Sequence, residues 1–465
     1  MMQMGVSRKL SRRSVLKAGT LLLASSAIAG CAGPAPTSPA KEPTSAPAAP
    51  ATKAPTTAQA TPVAKAPTTA PATPAAKAAV KVQFWHNSGA LQALREQQAA
   101  KFHEQYPNLT VEPVMQGSTA QILQKIQTAL AGGEPPDCTI LLNYMAVMLF
   151  EQGSILPLDP FIAADKSFKK DDVYEELWKA QTWKQNILMV PQTAQTWCLY
   201  YNKQVFEKSG VKEPPKNWAE LADVAKRCTK DTDGDGKVDQ FGLMLNFRGH
   251  TEWLCFVYNN GGNIFNPEVT KCLLDQPPAV EALKFWDKLI NEDKVVTDSP
   301  FDQGFAMNKV AMFMSGTWYI MNLYKLQIPF GVTHVPFQKS PLIHTDCSGF
   351  ALFKTTPERQ DATWKWLTYQ CRKEYYETLV QQNYWAPIHK SHAEDPKFKE
   401  WVQKYPELKF HVDLPKDTYR ILPLYKGGTK PTTIVQDEME LALRRKKSVE
   451  EATAAMASGV TAAIS

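Results

Sequence analysis

The sequence predicts an α/β fold built on a largely parallel sheet, and three observations predict it. Val80, Val82 and Phe84 recur with the period of two that marks a strand. Leu91, Leu94, Gln98, Phe102 and Tyr106 then follow at helical spacing, before a second strand at Leu109, Val111 and Val114. Ile122, Ile126 and Leu130 stand four apart in a further helix, and the turn 132–137 leads into the apolar run 138–142. Strands separated by helices, with no tight hairpin between them, become parallel neighbours covered by those helices.

The same alternation continues along the chain. Helices are expected over 217–230, with Asn217 as the cap before Trp218, Leu221, Val224 and Ala225, and over 279–292 and 358–370. Strands are expected at 187–190, 197–201, 310–314, 331–335 and 349–353, and the tail 435–463 carries helical patches around Arg444-Arg445-Lys446-Lys447. The chain has 465 residues, 44% of them hydrophobic, enough for two or three domains with real cores. Eight Cys in that length exclude a small disulfide scaffold. Seven of them lie beyond residue 80, none spaced as Cys-x-x-Cys, so core thiols are expected.

Charge is distributed unevenly. The net charge is +6, but the excess sits in residues 1–79, leaving 43 basic and 45 acidic residues from 80 onward. A nucleic-acid binder keeps its positive charge on the folded part, so that class is excluded. Residues 1–30 read as an export signal: Arg8, Lys9, Arg12, Arg13 and Lys17 precede a short apolar run. Arg12-Arg13 before Ser14-Val15-Leu16-Lys17 resembles a twin-arginine signal, which implies export of a folded chain. Ala27-Ile28-Ala29-Gly30-Cys31 resembles a bacterial lipobox, which implies acylation of Cys31 and attachment to the outer face of the cell membrane. Residues 31–79 are almost wholly Ala, Pro, Thr, Ser and Lys and hold 11 of the 34 Pro. Such a segment cannot bury enough apolar surface to fold and reads as an extended tether.

A second motif is Asp231-Thr232-Asp233-Gly234-Asp235-Gly236-Lys237-Val238-Asp239. Acids at loop positions 1, 3, 5 and 9, the Lys237 carbonyl at 7 and a Gly at 6 match a calcium loop. Position 12 is Gly242, where the full motif carries a bidentate Glu, so the shell is incomplete. A structural calcium ion is one reading and a plain acidic turn the other.

Several short stretches in order carry a family resemblance. They are Phe84-Trp85-His86, the turn 132–137, Gly153-Ser154-Ile155-Leu156-Pro157-Leu158, Leu199-Tyr200-Tyr201-Asn202-Lys203, Pro215-Lys216-Asn217-Trp218, Gly261-Gly262-Asn263, and Asn308-Lys309-Val310 followed by Gly316-Thr317-Trp318. Together they resemble the sugar-binding branch of the extracellular solute-binding proteins of ABC importers, which includes the maltose, multiple-sugar and glycerol-3-phosphate binders. The resemblance implies a periplasmic-binding-protein-like fold of type II: two α/β lobes, 80–190 plus 336–380 and 191–335 plus 381–465, hinged around a ligand cleft. It implies a monomer that captures a carbohydrate, or alternatively a polyol or glycerol phosphate, and delivers it uncut to a permease pair driven by an ATPase.

A sugar ring offers an apolar face to indole and phenol rings and a rim of hydroxyls to amides and carboxylates. On that basis the ligand-binding candidates are Trp85 and His86 at the end of the first strand and Asn143 and Tyr144 at the end of the third. Gln195 and Trp197 follow a crossing at Pro191, and Gly316 with Trp318 match the family's stacking position. Trp253, Tyr384 and Trp385 complete the set; a phosphate-bearing ligand would call on Arg248 or Arg420. No pair of carboxylates and no Gly-x-Ser-x-Gly elbow is evident, which argues against a glycoside hydrolase or lyase. A surface adhesin or a sensor's ligand-presenting partner is the remaining alternative.

Overall fold

The computed structural model describes residues 78–465 except 299–300, 384–385 and 413–417. The export signal, Cys31, the tether, Tyr384 and Trp385 therefore lie outside the described residues. The strands are β1 Val80–His86, β2 Leu109–Met115, β3 Cys138–Leu142, β4 Thr182–Trp183, β5 Asn186–Ile187 and β6 Val190–Asn202. They continue with β7 Phe241–Met244, β8 Val296–Thr297, β9 Val310–Gly316, β10 Phe330–Thr333, β11 Ile343–Leu352 and β12 Tyr419–Ile421. Ten of them join in one sheet of order β2-β1-β3-β11-β6-β9-β7-β8, with β10 beside β6 and β12 beside β11.

The sheet has two halves that share β6. Residues 190–196 of this 13-residue strand pair with β11, and residues 197–202 pair with β9 and β10. The outer pairs, β1 with β2 and β3 and β7 with β8 and β9, are parallel as the alternating pattern predicts. The central pairs are antiparallel, β11 with β3 and β6, and β6 with β9 and β10. This departs from a largely parallel sheet for a topological reason. One long strand carries the chain out of the first half and the other brings it back, so they run in opposite directions.

The sequence also splits β6 into two short strands at Pro191, whereas the structure makes it continuous. Proline lacks the N–H that a ladder needs. Here it faces Gly349, beside the register shift at Ser348/Gly349, so the break falls where the ladder is already irregular.

Helices cover both faces of the first half. Phe84, Phe102, Phe350 and Trp366 pack together under the helices Gln92–Gln105 and Pro357–Gln370. Ile122, Ile126, Met145 and Leu149 fill the opposite face from Thr119–Ala131 and Asn143–Glu151. Each fully buried Phe here contributes about 1.5–3 kcal/mol. In the second half Leu243, Trp253, Trp286 and Met312 form a separate core, closed by the C-terminal helices Lys430–Leu443 and Val449–Ile464. The seven cysteines among the described residues are buried and free.

Helix starts follow the sequence. Ser118 and Ser448 make capping boxes with Gln121 and Glu451, and Asn217 and Thr356 cap with their side chains.

One ion pair ties the first half together. Asp137, fully buried at the end of the turn before β3, meets Arg359 at 2.7 Å and accepts from the Gln83 amide at 2.8 Å. Arg359→Met leaves that carboxylate uncompensated. Since the guanidinium is partly solvated, the expected loss is about 2–4 kcal/mol, at the lower end for a broken buried pair, read as a drop in the denaturation midpoint by far-UV circular dichroism.

Candidate functional site

A cavity of about 560 Å³ opens where β6 and β11 cross between the halves. That is the size of a small-molecule site, roughly 300–1,000 Å³. Its walls come from every part of the crossing: the ends of β1 and β3, the middle of β6 and β11, the start of the helix His250–Asn259, the turn after β9, and the chain after β12.

Strand register builds the polar floor. Asp346 of β11 lies opposite Gln195 of β6, and Trp197 lies opposite Gly316 of β9. The Trp197 indole N–H donates to Asp346 Oδ2 at 2.7 Å, and His344 Nε2 lies 3.1 Å from Oδ1. Burial opposes ionisation of Asp346. The nearby His344 and the bond from Trp197 outweigh it and hold the carboxyl below its usual value. The acid therefore stays charged at neutral pH and serves as a hydrogen-bond acceptor. Burial likewise pushes His250, which lines the same cavity, down to about 4, which keeps its imidazole neutral.

Two indoles flank this floor. Trp318, in the short turn Thr317–Tyr319, meets Trp197 edge to face with centroids 5.3 Å apart. Both remain partly exposed toward the cavity. Tyr144 stacks with Tyr425 at 6.4 Å and adds a phenol wall. Flat rings beside a fixed carboxylate, an amide and imidazoles form a surface with apolar faces and convergent hydrogen-bonding groups. No reacting pair is evident among the described residues. The acid's two oxygens are already held by an indole and an imidazole, and no second carboxylate lines the cavity.

The structure brings together His86, Asn143, Tyr144, Gln195, Trp197 and Trp318. Asn143 is the most constrained. It donates to the Leu422 carbonyl at 2.8 Å and accepts from Gln181 at 3.4 Å, pinning the strand end to the chain beyond β12. Three candidates do not line the cavity. Trp85 points to the opposite face of the sheet from His86, as the period of a strand requires, and packs against the core over Ile122 and Met145. Trp253 is fully buried in the second core. Gly316 offers no wall of its own. A Cβ there would fall 1.6 Å from the Trp318 ring, so its bare backbone is the seat on which that indole rests. Arg248 is taken up by Asp437 and Glu440 at 2.7 and 3.0 Å, and Arg420 in β12 donates to the Tyr419 carbonyl.

Sequence reasoning missed Asp346, His344, His250 and Arg95, all of which line the cavity. A signal for two of them was present. His344, Asp346 and Ser348 place polar groups at every second position of an otherwise buried strand.

In the acidic loop, Asp231, Asp233 and Asp235 converge, with one oxygen of each within 4.8 Å of the others. Asp239 is drawn away by Thr232 and Lys309, and Lys237 contributes its amide to Asp235 at 2.8 Å. Gly234 and Gly236 take the positive φ values, +80° and +87°, that the tight turn needs.

The family model described as bacterial extracellular solute-binding protein matches residues 97–409. The chain belongs to this family. Among curated relatives of this solute-binding protein, the sn-glycerol-3-phosphate-binding periplasmic protein of Agrobacterium fabrum is 22% identical over 76% of this chain and 82% of its own length. The maltotriose-binding protein of Pyrococcus abyssi is 24% identical over 69% of each chain. Among solved structures, the substrate-binding protein of Listeria monocytogenes in complex with cycloalternan superposes with a TM-score of 0.74, at 19% identity, covering 82% of this chain and 98% of that one. The solute-binding protein thus has the type II periplasmic-binding fold, with two α/β lobes and the cavity where the chain crosses between them.

Gly316→Ala tests the seat of Trp318. The added methyl displaces the indole, and we expect at least about a tenfold loss of solute affinity, about 1.4 kcal/mol, by titration calorimetry, with the circular dichroism spectrum unchanged.

Proposed function

We propose that this solute-binding protein captures a carbohydrate in the cavity between β6 and β11 and hands it intact to an ABC permease and its ATPase. The observation that carries this reading is Asp346, held charged by Trp197 and His344 beside the Trp197–Trp318 pair. A carboxylate can accept from two vicinal hydroxyls while an indole covers the C–H face of the ring. The matches to a maltotriose binder and to a cycloalternan complex support the same class. Cys31 would carry the lipid anchor and 31–79 the tether that gives the domain reach, with the twin-arginine pair directing export.

The test is a thermal-shift screen of the purified protein against mono- and oligosaccharides. A sugar at a hundred times its dissociation constant stabilises by about 2.7 kcal/mol through mass action. We expect such a shift from at least one sugar, lost in Asp346→Asn, and recovery of that sugar uncut. Hydrolysed sugar, or no shift across the panel, contradicts the proposal.

We also propose that Asp231, Asp233 and Asp235 hold a structural calcium ion. Three converging carboxylates repel one another, and a divalent cation offsets that repulsion. Asp239, held by Lys309 and Thr232, supports the loop instead of joining the shell. Calcium should raise the melting temperature, a chelator should reverse the rise, and Asp233→Asn should abolish it. An unchanged melting temperature with calcium contradicts the site.

A further inference from the structure

The far end of the cavity contains a positive charge that no acid balances. Arg95 stands in the first turns of the helix Gln92–Gln105, is 0% exposed, and still lines the cavity. Its guanidinium lies over the rings of Phe84 and Phe350, at 5.5 and 5.8 Å. One terminal nitrogen donates to Gln98 at 3.3 Å and to Gln370. Nε and the other terminal nitrogen have no hydrogen-bond partner among the described residues. The groups that act on it electrostatically are Cys371, Tyr376 and Cys138, none of them a carboxylate. Burial lowers its pKa to about 10, so it remains a cation at neutral pH.

A buried charge without a counter-charge is costly, and an apolar residue of similar volume is often neutral or better for stability. Packing between two phenyl rings does not require a guanidinium. His86, 1% exposed, gives its Nε2 proton to Gln92 Oε1 at 2.8 Å, and burial with the nearby Arg95 lowers its pKa, so its ring is neutral there. The turn Gly89–Leu91 leads into Gln92–Gln105 with no side-chain cap and no acid in the first turn, which leaves the amides of the helix start open, while the exposed Glu96 just beyond accepts from Gln92 at 2.6 Å.

The cavity's carboxylate is remote from this end. Asp346 is four residues along β11 from Phe350, the ring beneath Arg95. That separation is roughly 13 Å at strand spacing. The site is therefore bipolar, with an acceptor and stacking rings at one end and uncompensated positive charge at the other.

We propose that Arg95 sets the charge selectivity of the site: the solute is a carbohydrate or polyol bearing an oxyanion, carboxylate or phosphate, which it presents to the start of the helix 92–105. This rests on the carbohydrate reading of the same cavity. Arg95 acts as a fixed charge behind that wall, a specificity-determining residue whose effect falls on the charged part of the solute.

Matched pairs decide it. Glucose, glucuronate and glucose 6-phosphate, maltose and maltobionate, and glycerol and glycerol 3-phosphate are titrated into the purified protein at low and high salt. The charged member of at least one pair should bind about tenfold or more tighter than its neutral partner. The carboxylate and phosphate arms distinguish the two oxyanions. Arg95→Met should remove that advantage and Arg95→Lys should restore part of it. An equal loss for neutral and charged solutes in Arg95→Met overturns the proposal. If that variant does not fold, the wild-type pairs suffice: neutral members binding as tightly as charged ones overturn it and leave the carbohydrate reading standing. Failure of the whole panel overturns both.

Discussion

The antiparallel pairing of β6 with β11 is the constraint on which the rest of the molecule depends. Every other strand of the ten-stranded sheet belongs to one half of it, while β6 is shared by both. The pairing sets Asp346 opposite Gln195 and, two residues on, leaves Trp197 facing Gly316 across the next strand. A slip of one residue would turn Asp346 and His344 to the other face of the sheet and leave the cavity without its acceptor. Buried hydrogen bonds resist that slip. Thr193 meets Ser348 at 2.8 Å, Ser348 donates to Gln192 at 3.1 Å, and Gln181 reaches both Cys347 and Asn143.

Function follows from what this crossing leaves unfilled. Apolar cores cover the faces of the sheet, one of them running from Phe84 of β1 to Phe313 of β9, but the crossing is lined by groups that packing alone would not select: a charged carboxylate, three imidazoles, partly exposed indoles and a buried arginine. Such groups are costly in a protein interior unless something pairs with them. Asp346 has a partner on each oxygen, whereas Nε and one terminal nitrogen of Arg95 have none among the described residues. That asymmetry is the strongest guide to what the cavity accepts.

Much of this was legible in the sequence, for local reasons. Period-two and helical spacing delimit β1 to β3 and the helices between them. Asn217 announces a helix start, and strand ends point to His86, Asn143, Tyr144 and Trp318 as cavity residues. Trp85 was misplaced although the information was present, since adjacent strand residues face opposite sides. What could not be read was long-range register. Asp346 and Gln195 are far apart in sequence and meet only because β11 returns antiparallel to β6. Trp253 illustrates the converse: an indole is as suited to a core as to a sugar, and only the packing of the helix His250–Asn259 decides which it does.

The most direct measurement of the central claim is hydrogen–deuterium exchange with and without a bound solute. Binding at the crossing should slow exchange at 193–197, 316–318 and 344–348 together, with added protection at 86–91 for a solute that reaches the positive end. Protection confined to one half of the sheet, or none at 344–348, would contradict a solute held between β6 and β11.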